Sequence, residues 1–108
     1  MFNNLTENES YNQDEPLEIL FFTSPLCGPC PKIERRLLET IAKKKLPIKV
    51  TKIDILSTPE IAEEHNIVVC PTLIFRDYMT VCGSYEAEIL EELISNFFAF
   101  AFEFKAPR

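Results

Sequence analysis

The stretch Phe21-Phe22-Thr23-Ser24-Pro25-Leu26-Cys27-Gly28-Pro29-Cys30 decides how the chain is read. It ends an apolar run that begins at Leu17 and stands just before an amphipathic helical stretch. A dithiol at the end of a strand and the start of a helix meets backbone N–H groups that have no partner inside the helix. The positive end of the helix dipole there favours a thiolate on the first sulfur. A thiolate attacks disulfides and a thiol does not. The short spacing lets the second sulfur reach back and close a ring with the first. Such a pair can be reduced, react with a partner and be oxidised again.

Working outward, Leu17 to Phe22 is a nearly continuous apolar run, as expected of a strand buried on both faces. Thr23-Ser24-Pro25-Leu26 is turn chemistry. Pro25 and Pro29 stiffen the connection. Pro29 is expected in the first helical turn, where its missing N–H costs little. Pro31 lies at the edge of that tolerance and is a candidate for a kink. The helix is expected to run to about Lys45, with Ile33, Leu37, Leu38, Ile41 and Ala42 as one apolar stripe. Lys43, Lys44 and Lys45 meet the negative end of its dipole.

Pro47 breaks that helix, and Ile48 to Ile55 alternates with a period of two, which predicts a strand. Ser57-Thr58-Pro59-Glu60 opens a short helix expected over Pro59 to His65, with Asn66 at its end. Val68 to Phe75 reads as a strand entered through Pro71, Arg76-Asp77-Tyr78 as a turn, and Met79 to Cys82 as a hairpin partner. Gly83-Ser84 ends it. A last helix is expected from Glu86, with Ile89, Leu90, Leu93, Ile94 and Phe97 on its apolar face. The aromatic tail Phe97 to Phe104 fits strand alternation and a helical stripe alike, and helix to about Phe102 is the favoured reading. If those rings are exposed they predict a dimer or a partner site; otherwise a monomer is expected.

The order is β-α-β-α-β-β-α, a four-stranded mixed α/β sheet with helices on both faces. The first three strands, linked through helices, are expected to be parallel by right-handed crossovers, and the last to add antiparallel at one edge. Residues 16–108 form a single domain on this reading. Residues 1–15 are a loose acidic arm, which Phe2, Leu5 and Tyr11 are candidates to pin.

With 108 residues, 46% of them hydrophobic, the chain suits one compact domain. No apolar stretch approaches the roughly 18 residues that span a bilayer. The first residues carry acids and no Lys or Arg, the opposite of a signal or transit peptide, so a cytoplasmic protein is expected. There, cysteine pairs are more often catalytic or metal-binding than structural. A net charge of −6 argues against nucleic acid and anionic membranes as partners.

These residues resemble the thioredoxin-like superfamily, and most closely the small glutaredoxin-like thioredoxins typical of archaea. The matching stretches are Phe21 to Pro31, Lys52-Ile53-Asp54-Ile55, Cys70-Pro71-Thr72 and Val81-Cys82-Gly83, within a resemblance that covers roughly Leu17 to Phe97. It implies a cis Cys70–Pro71 bond, a state found in only ~5% of X-Pro bonds. It also implies a groove for a partner chain at Leu26, Gly28, Pro29, Cys70, Pro71 and Gly83. The departures are Leu26, where thioredoxins proper carry Trp, and Phe21, where they carry a buried Asp that handles the proton of the second sulfur. That proton must then use water or another group.

Cys70 and Cys82 replace positions that are usually aliphatic in the family. They read most simply as small apolar residues standing in for Val or Ile. A third thiol exchanging with the dithiol is a sharper reading. A zinc or iron–sulfur site is the least favoured, since the spacing matches no common framework. His65, the single histidine, reads as a solvated helix end. Lys32, Arg35 and Arg36 either favour a Cys27 thiolate or form a solvated face.

The expected function is a thiol–disulfide oxidoreductase that reduces protein disulfides, with Cys27 as nucleophile and Cys30 resolving. No cofactor or metal is expected. The partners expected are disulfide-containing proteins, and a thioredoxin-type reductase or a low-molecular-weight thiol as donor. The alternatives are a glutathione-dependent glutaredoxin and a non-catalytic thioredoxin-like module that binds a metal or a partner.

Overall fold

The computed structural model describes residues 17–76 and 78–105, the last four by their backbone. The expected arm at 1–15, Asp77 of the turn and the side chains of Phe102 and Phe104 lie outside the described residues. The order of elements is β1 (Leu17–Thr23), α1 (Cys30–Lys44), β2 (Ile48–Asp54), α2 (Pro59–Glu64), β3 (Thr72–Phe75), β4 (Met79–Cys82) and α3 (Ala87–Lys105). The four strands form one sheet in the order β2-β1-β3-β4.

β1 is central, and Ile19, Leu20, Phe21 and Phe22 are all buried. The strand period of two divides them between two cores. Ile19 and Phe21 pack with Ile33 and Leu37 of α1 and with Leu90, Ile94 and Phe97 of α3. Leu20 and Phe22 face the other way, with Ile53 and, from α2 and the loop after it, Ile61 and Ile67. Helices thus cover both faces, as the continuous apolar run requires. Each fully buried side chain of this kind contributes about 1.5–3 kcal/mol.

β1 and β2 are parallel, with Phe21 beside Lys52 and Thr23 beside Asp54. β3, however, runs antiparallel to β1, with Phe22 beside Thr72 and Ile19 beside Phe75. The expectation of three parallel strands fails here, and the reason lies in α2. Its six residues rise only about 9 Å, at ~1.5 Å per residue. β2 ends beside Thr23 and β3 begins beside Phe22, so the connection leaves and re-enters at one end of the sheet. β4 pairs antiparallel to β3 at the edge, as expected.

β3 is also shorter than its apolar sequence predicts. Val68 and Val69 lie in an exposed approach, 88% and 46% accessible. Pro71 has no N–H to give a ladder, so pairing starts at Thr72. In α1 the buried stripe is Cys30, Ile33 and Leu37, with Ile41 packed against it. Leu38 is 46% exposed and Ala42 is exposed, so the expected stripe is narrower. Pro29 precedes α1 as its cap, one place earlier than expected, and Pro31 occupies the second helical position, where no intrahelical donor is needed. Lys45, at φ 55°, closes the helix. Its amide donates to the Ala42 carbonyl and that of Leu46 to the Ile41 carbonyl, a Schellman arrangement.

α3 continues past the expected end to Lys105. The helical period wins over strand alternation because Leu90, Ile94, Phe97 and Ala101 form one buried line, while Ile89 is 45% exposed. Phe97 meets Phe75 edge-on at a centroid distance of 5.3 Å, and Tyr78 lies 4.9 Å from Phe100. Phe98 and Phe100 are half-buried, so this part of the aromatic tail packs on the body. Among the described residues, no helix is long and apolar enough to cross a membrane.

Candidate functional site

The chain leaves β1 at Thr23 and makes a tight turn. The Ser24 carbonyl accepts from the Cys27 amide at 3.0 Å, and the Ser24 hydroxyl oxygen accepts from the Leu26 amide at 3.1 Å. The Cys27 carbonyl then accepts from the Cys30 amide, which is already the first helical residue. No side chain caps this helix start, and its first turn holds no acid. The positive end of the dipole is therefore left for the sulfur of Cys27, which lies just before it.

Cys27 and Cys30 are joined in a disulfide, with Cα atoms 5.5 Å apart. Their exposure differs in the way the chemistry needs. Cys27 is half-buried, whereas Cys30 is 2% exposed and belongs to the main core. Gly28 and Pro29 between them are exposed, and Leu26 is 85% exposed on the rim.

The Cys70–Pro71 peptide bond is cis, as the resemblance implies. Pro71 is buried, and its carbonyl accepts from the Gly83 amide at 2.9 Å. Gly83 has φ 93°, a left-handed conformation that favours glycine. The Thr72 hydroxyl donates to the Val69 carbonyl at 2.8 Å and lies 3.7 Å from the Cys82 sulfur.

The fold brings all four cysteines to one end of the sheet, because Thr72 is the partner of both Phe22 and Cys82. Cys27 and Cys70 both pack against the main core. Burial pushes the Cys70 thiol up, and the Asp54 carboxylate adds to that. Cys82 is exposed, so the reading of it as a buried aliphatic stand-in fails. At the open edge beside β4 it has no core to join. Among the described residues, no three His, Cys, Asp or Glu side chains are grouped to hold a metal ion, so the four-thiolate reading finds no geometric support.

An open cleft of about 270 Å³ lies beside the dithiol. Cys27 and Cys30 line it together with Thr23, Glu34, Lys52 and Asp54. Lys52 Nζ lies 3.1 Å from Glu34 Oε1. Lys32, Arg35 and Arg36 do not line it, and Arg36 donates instead to the Tyr85 carbonyl. That agrees with the reading of Lys32, Arg35 and Arg36 as a solvated face, and the charged residues at the cleft are ones the sequence did not single out. The signal was there in the spacing: Glu34 follows Cys30 by one helical turn, and Lys52 and Asp54 share a strand face. His65 is an exposed helix end, its ring nitrogen 2.9 Å from the Ile61 carbonyl and its ring against Phe22, and takes no part in the cleft.

The model of the Thioredoxin family matches residues 3–99. A thioredoxin of Methanocaldococcus jannaschii is 30% identical over 80 residues, which is 74% of this chain and 94% of that protein. One of Chlamydia trachomatis is 35% identical over 84 residues, 74% of this chain and 81% of its own. Among solved structures, a single-site variant of a thioredoxin from Halobacterium salinarum superposes with a TM-score of 0.65 at 28% identity, covering 78% of this chain and 76% of that one. The strand order, the dithiol at the start of α1 and these matches agree: the chain belongs to the thioredoxin family, with the active-site cysteine pair of a protein-disulfide oxidoreductase at Cys27 and Cys30.

Proposed function

We propose that the protein reduces disulfides in partner proteins through its Cys-Gly-Pro-Cys dithiol, with Cys27 as nucleophile and Cys30 as resolving thiol. The unequal exposure of the two cysteines carries this assignment: Cys27 is half-buried at the surface, whereas Cys30, at 2% exposure, is far less accessible to a partner protein. The Cys27 thiolate attacks one sulfur of the partner's disulfide. A mixed disulfide forms and the partner's other sulfur leaves as a thiolate. Cys30 then attacks Cys27, the second partner sulfur leaves, and the disulfide of the present structure results. A reductase or a low-molecular-weight thiol returns two electrons and two protons.

The groove for the partner chain is assigned to Leu26, Gly28, Pro29, Cys70, Pro71 and Gly83. Leu26 is exposed beside Cys27, and Gly83 and Pro71 are tied together at the end of β3 and β4. The glutaredoxin-like branch is supported by Leu26 in the place of a Trp and by a hairpin of two four-residue strands.

The test is insulin reduction with dithiothreitol as donor. Wild type should accelerate it, Cys27→Ser should abolish the acceleration, and Cys30→Ser should accumulate a mixed disulfide visible by mass spectrometry. Full turnover in either variant would refute the assignment. Equal acceleration with glutathione as the sole donor would move the protein to glutathione chemistry.

A further inference from the structure

When Cys30 resolves the mixed disulfide it must first lose a proton, and the face of β1 toward it, which carries Ile19, Phe21 and Thr23, offers no carboxylate to take that proton. Ile19 and Phe21, the β1 side chains facing the core that holds Cys30, are apolar and fully buried. Cys30 is 2% exposed, so its thiol meets solvent only through the cleft it lines. That cleft has three charged side chains: Glu34 from α1, and Lys52 and Asp54 from β2.

Asp54 is committed elsewhere. Its Oδ1 accepts from the Leu56 amide at 2.9 Å, and its backbone carbonyl accepts from the Thr58 hydroxyl at 2.9 Å, so it holds the turn that follows β2. Lys52 Nζ is paired with Glu34 Oε1. Glu34 is the cleft carboxylate carried by the helix that Cys30 itself begins. It follows Cys30 by four residues and so sits one helical turn along the same side of α1. Lys52 is the register partner of Phe21 and reaches Glu34 Oε1 at 3.1 Å, and both residues line the cleft.

We propose that Glu34 receives the Cys30 proton as Cys30 attacks the mixed disulfide, and that Lys52 is the positioning residue that holds the carboxylate at the cleft. This rests on Cys27 being the nucleophile and Cys30 the resolving thiol. At about 270 Å³ the cleft has room for water to carry the proton, since each molecule takes ~30 Å³. The Cys30 S–H bond breaks and its proton passes to the Glu34 carboxylate. The electron pair left on Cys30 forms the bond to Cys27 Sγ. The bond from Cys27 to the partner sulfur breaks, and its pair leaves with the partner as a thiolate. Glu34 then gives its proton to that thiolate or to solvent. No other oxidant or reductant enters the step.

The test is the pH profile of insulin reduction, with dithiothreitol as donor, for wild type, Glu34→Gln, Glu34→Asp and Lys52→Met. At about pH 6 to 7, Glu34→Gln should slow turnover by ~10- to 100-fold, the scale of a lost proton acceptor partly replaced by water. It should also accumulate the mixed disulfide. Its rate should recover toward wild type as pH rises, because hydroxide then takes the proton that Glu34 takes at lower pH. Glu34→Asp should keep most of the rate, and Lys52→Met should shift the profile in the same direction by less. An equal loss at every pH would overturn the proposal, because that is what a merely structural ion pair would give. A wild-type profile in Glu34→Gln would overturn it too. Cys30→Ser separates the two failures: if it traps the mixed disulfide while Glu34→Gln behaves as wild type, Glu34 is wrong and the cysteine roles stand. If Cys30→Ser traps nothing, the roles themselves fall and the proposal with them.

Discussion

The Gly83 amide donates to the Pro71 carbonyl at 2.9 Å, which fixes the end of β4 against the residue that precedes β3. Gly83 makes this bond at φ 93°. A Cβ there would have nothing within 4 Å, so the obstacle to a side chain is the backbone alone. Gly83→Ala should therefore cost about 1–2 kcal/mol, the scale of a left-handed conformation for an L-residue. The measurement is the urea midpoint at unchanged slope. An unchanged midpoint would show that this bond does not hold residue 83 in its left-handed conformation.

Phe97 and Leu38 make a contrasting pair. Phe97 is 1% exposed, packs edge-on against Phe75 and lies 6.0 Å from the Tyr78 ring. Phe97→Ala should cost ~3–5 kcal/mol, the transfer loss plus the cavity. Leu38 sits in the same kind of apolar run but is 46% exposed, so Leu38→Ala should stay within about 0.5 kcal/mol. Denaturation curves of both variants check this. Equal costs would mean that α1 packs on the sheet by a wider face than the structure shows.

The same pair marks what the sequence could carry. Period and breakers locate elements well, since both are local. Four consecutive apolar residues at Ile19 to Phe22 correctly announced a strand covered on both sides. Which neighbour of Leu37 is buried is not local: it depends on how α1 rolls on the sheet. The direction of β3 is also a tertiary property, because the connection from Ile55 to Pro71, with α2 inside it, reads the same whether it crosses the sheet or doubles back. At the site, Cys27 and Cys30 were legible because strand, turn and helix signals meet there. Glu34, Lys52 and Asp54 come from two elements, and only the β1–β2 register brings them to one cleft.

Glu18 on β1 is held below its ordinary value of 4.5, first by the hydrogen bond from the Thr51 hydroxyl, with Arg76 adding to it and partial burial opposing it. A carboxyl with a depressed folded-state value stabilises fully above its unfolded value. That contribution is lost as pH falls through the lower, folded value. The stability of wild type should thus drop below about pH 4.5, and Glu18→Gln should remove part of that drop. Urea midpoints through the acid range measure it. Parallel curves for the two proteins would show that the Thr51 and Arg76 contacts do not persist in solution.

Cys70 and Cys82 differ in both exposure and charge environment, and that predicts an order of reaction. In the oxidised protein the Cys27 and Cys30 sulfurs are tied up, which leaves these two thiols among the described residues. Cys82 is exposed, whereas Cys70 is partly buried and its thiol is pushed up by burial and by Asp54. At neutral pH little of Cys70 is thiolate, and its share grows only as pH rises past the ordinary thiol range. Iodoacetamide should therefore alkylate Cys82 first, with Cys70 lagging at neutral pH and catching up in alkali. Asp54→Asn removes the nearby negative charge and should speed Cys70 without changing Cys82. Peptide mapping of timed samples gives both rates. Labelling of Cys70 ahead of Cys82 would mean that the approach to Pro71 opens in solution, and that the groove is wider than its buried proline implies.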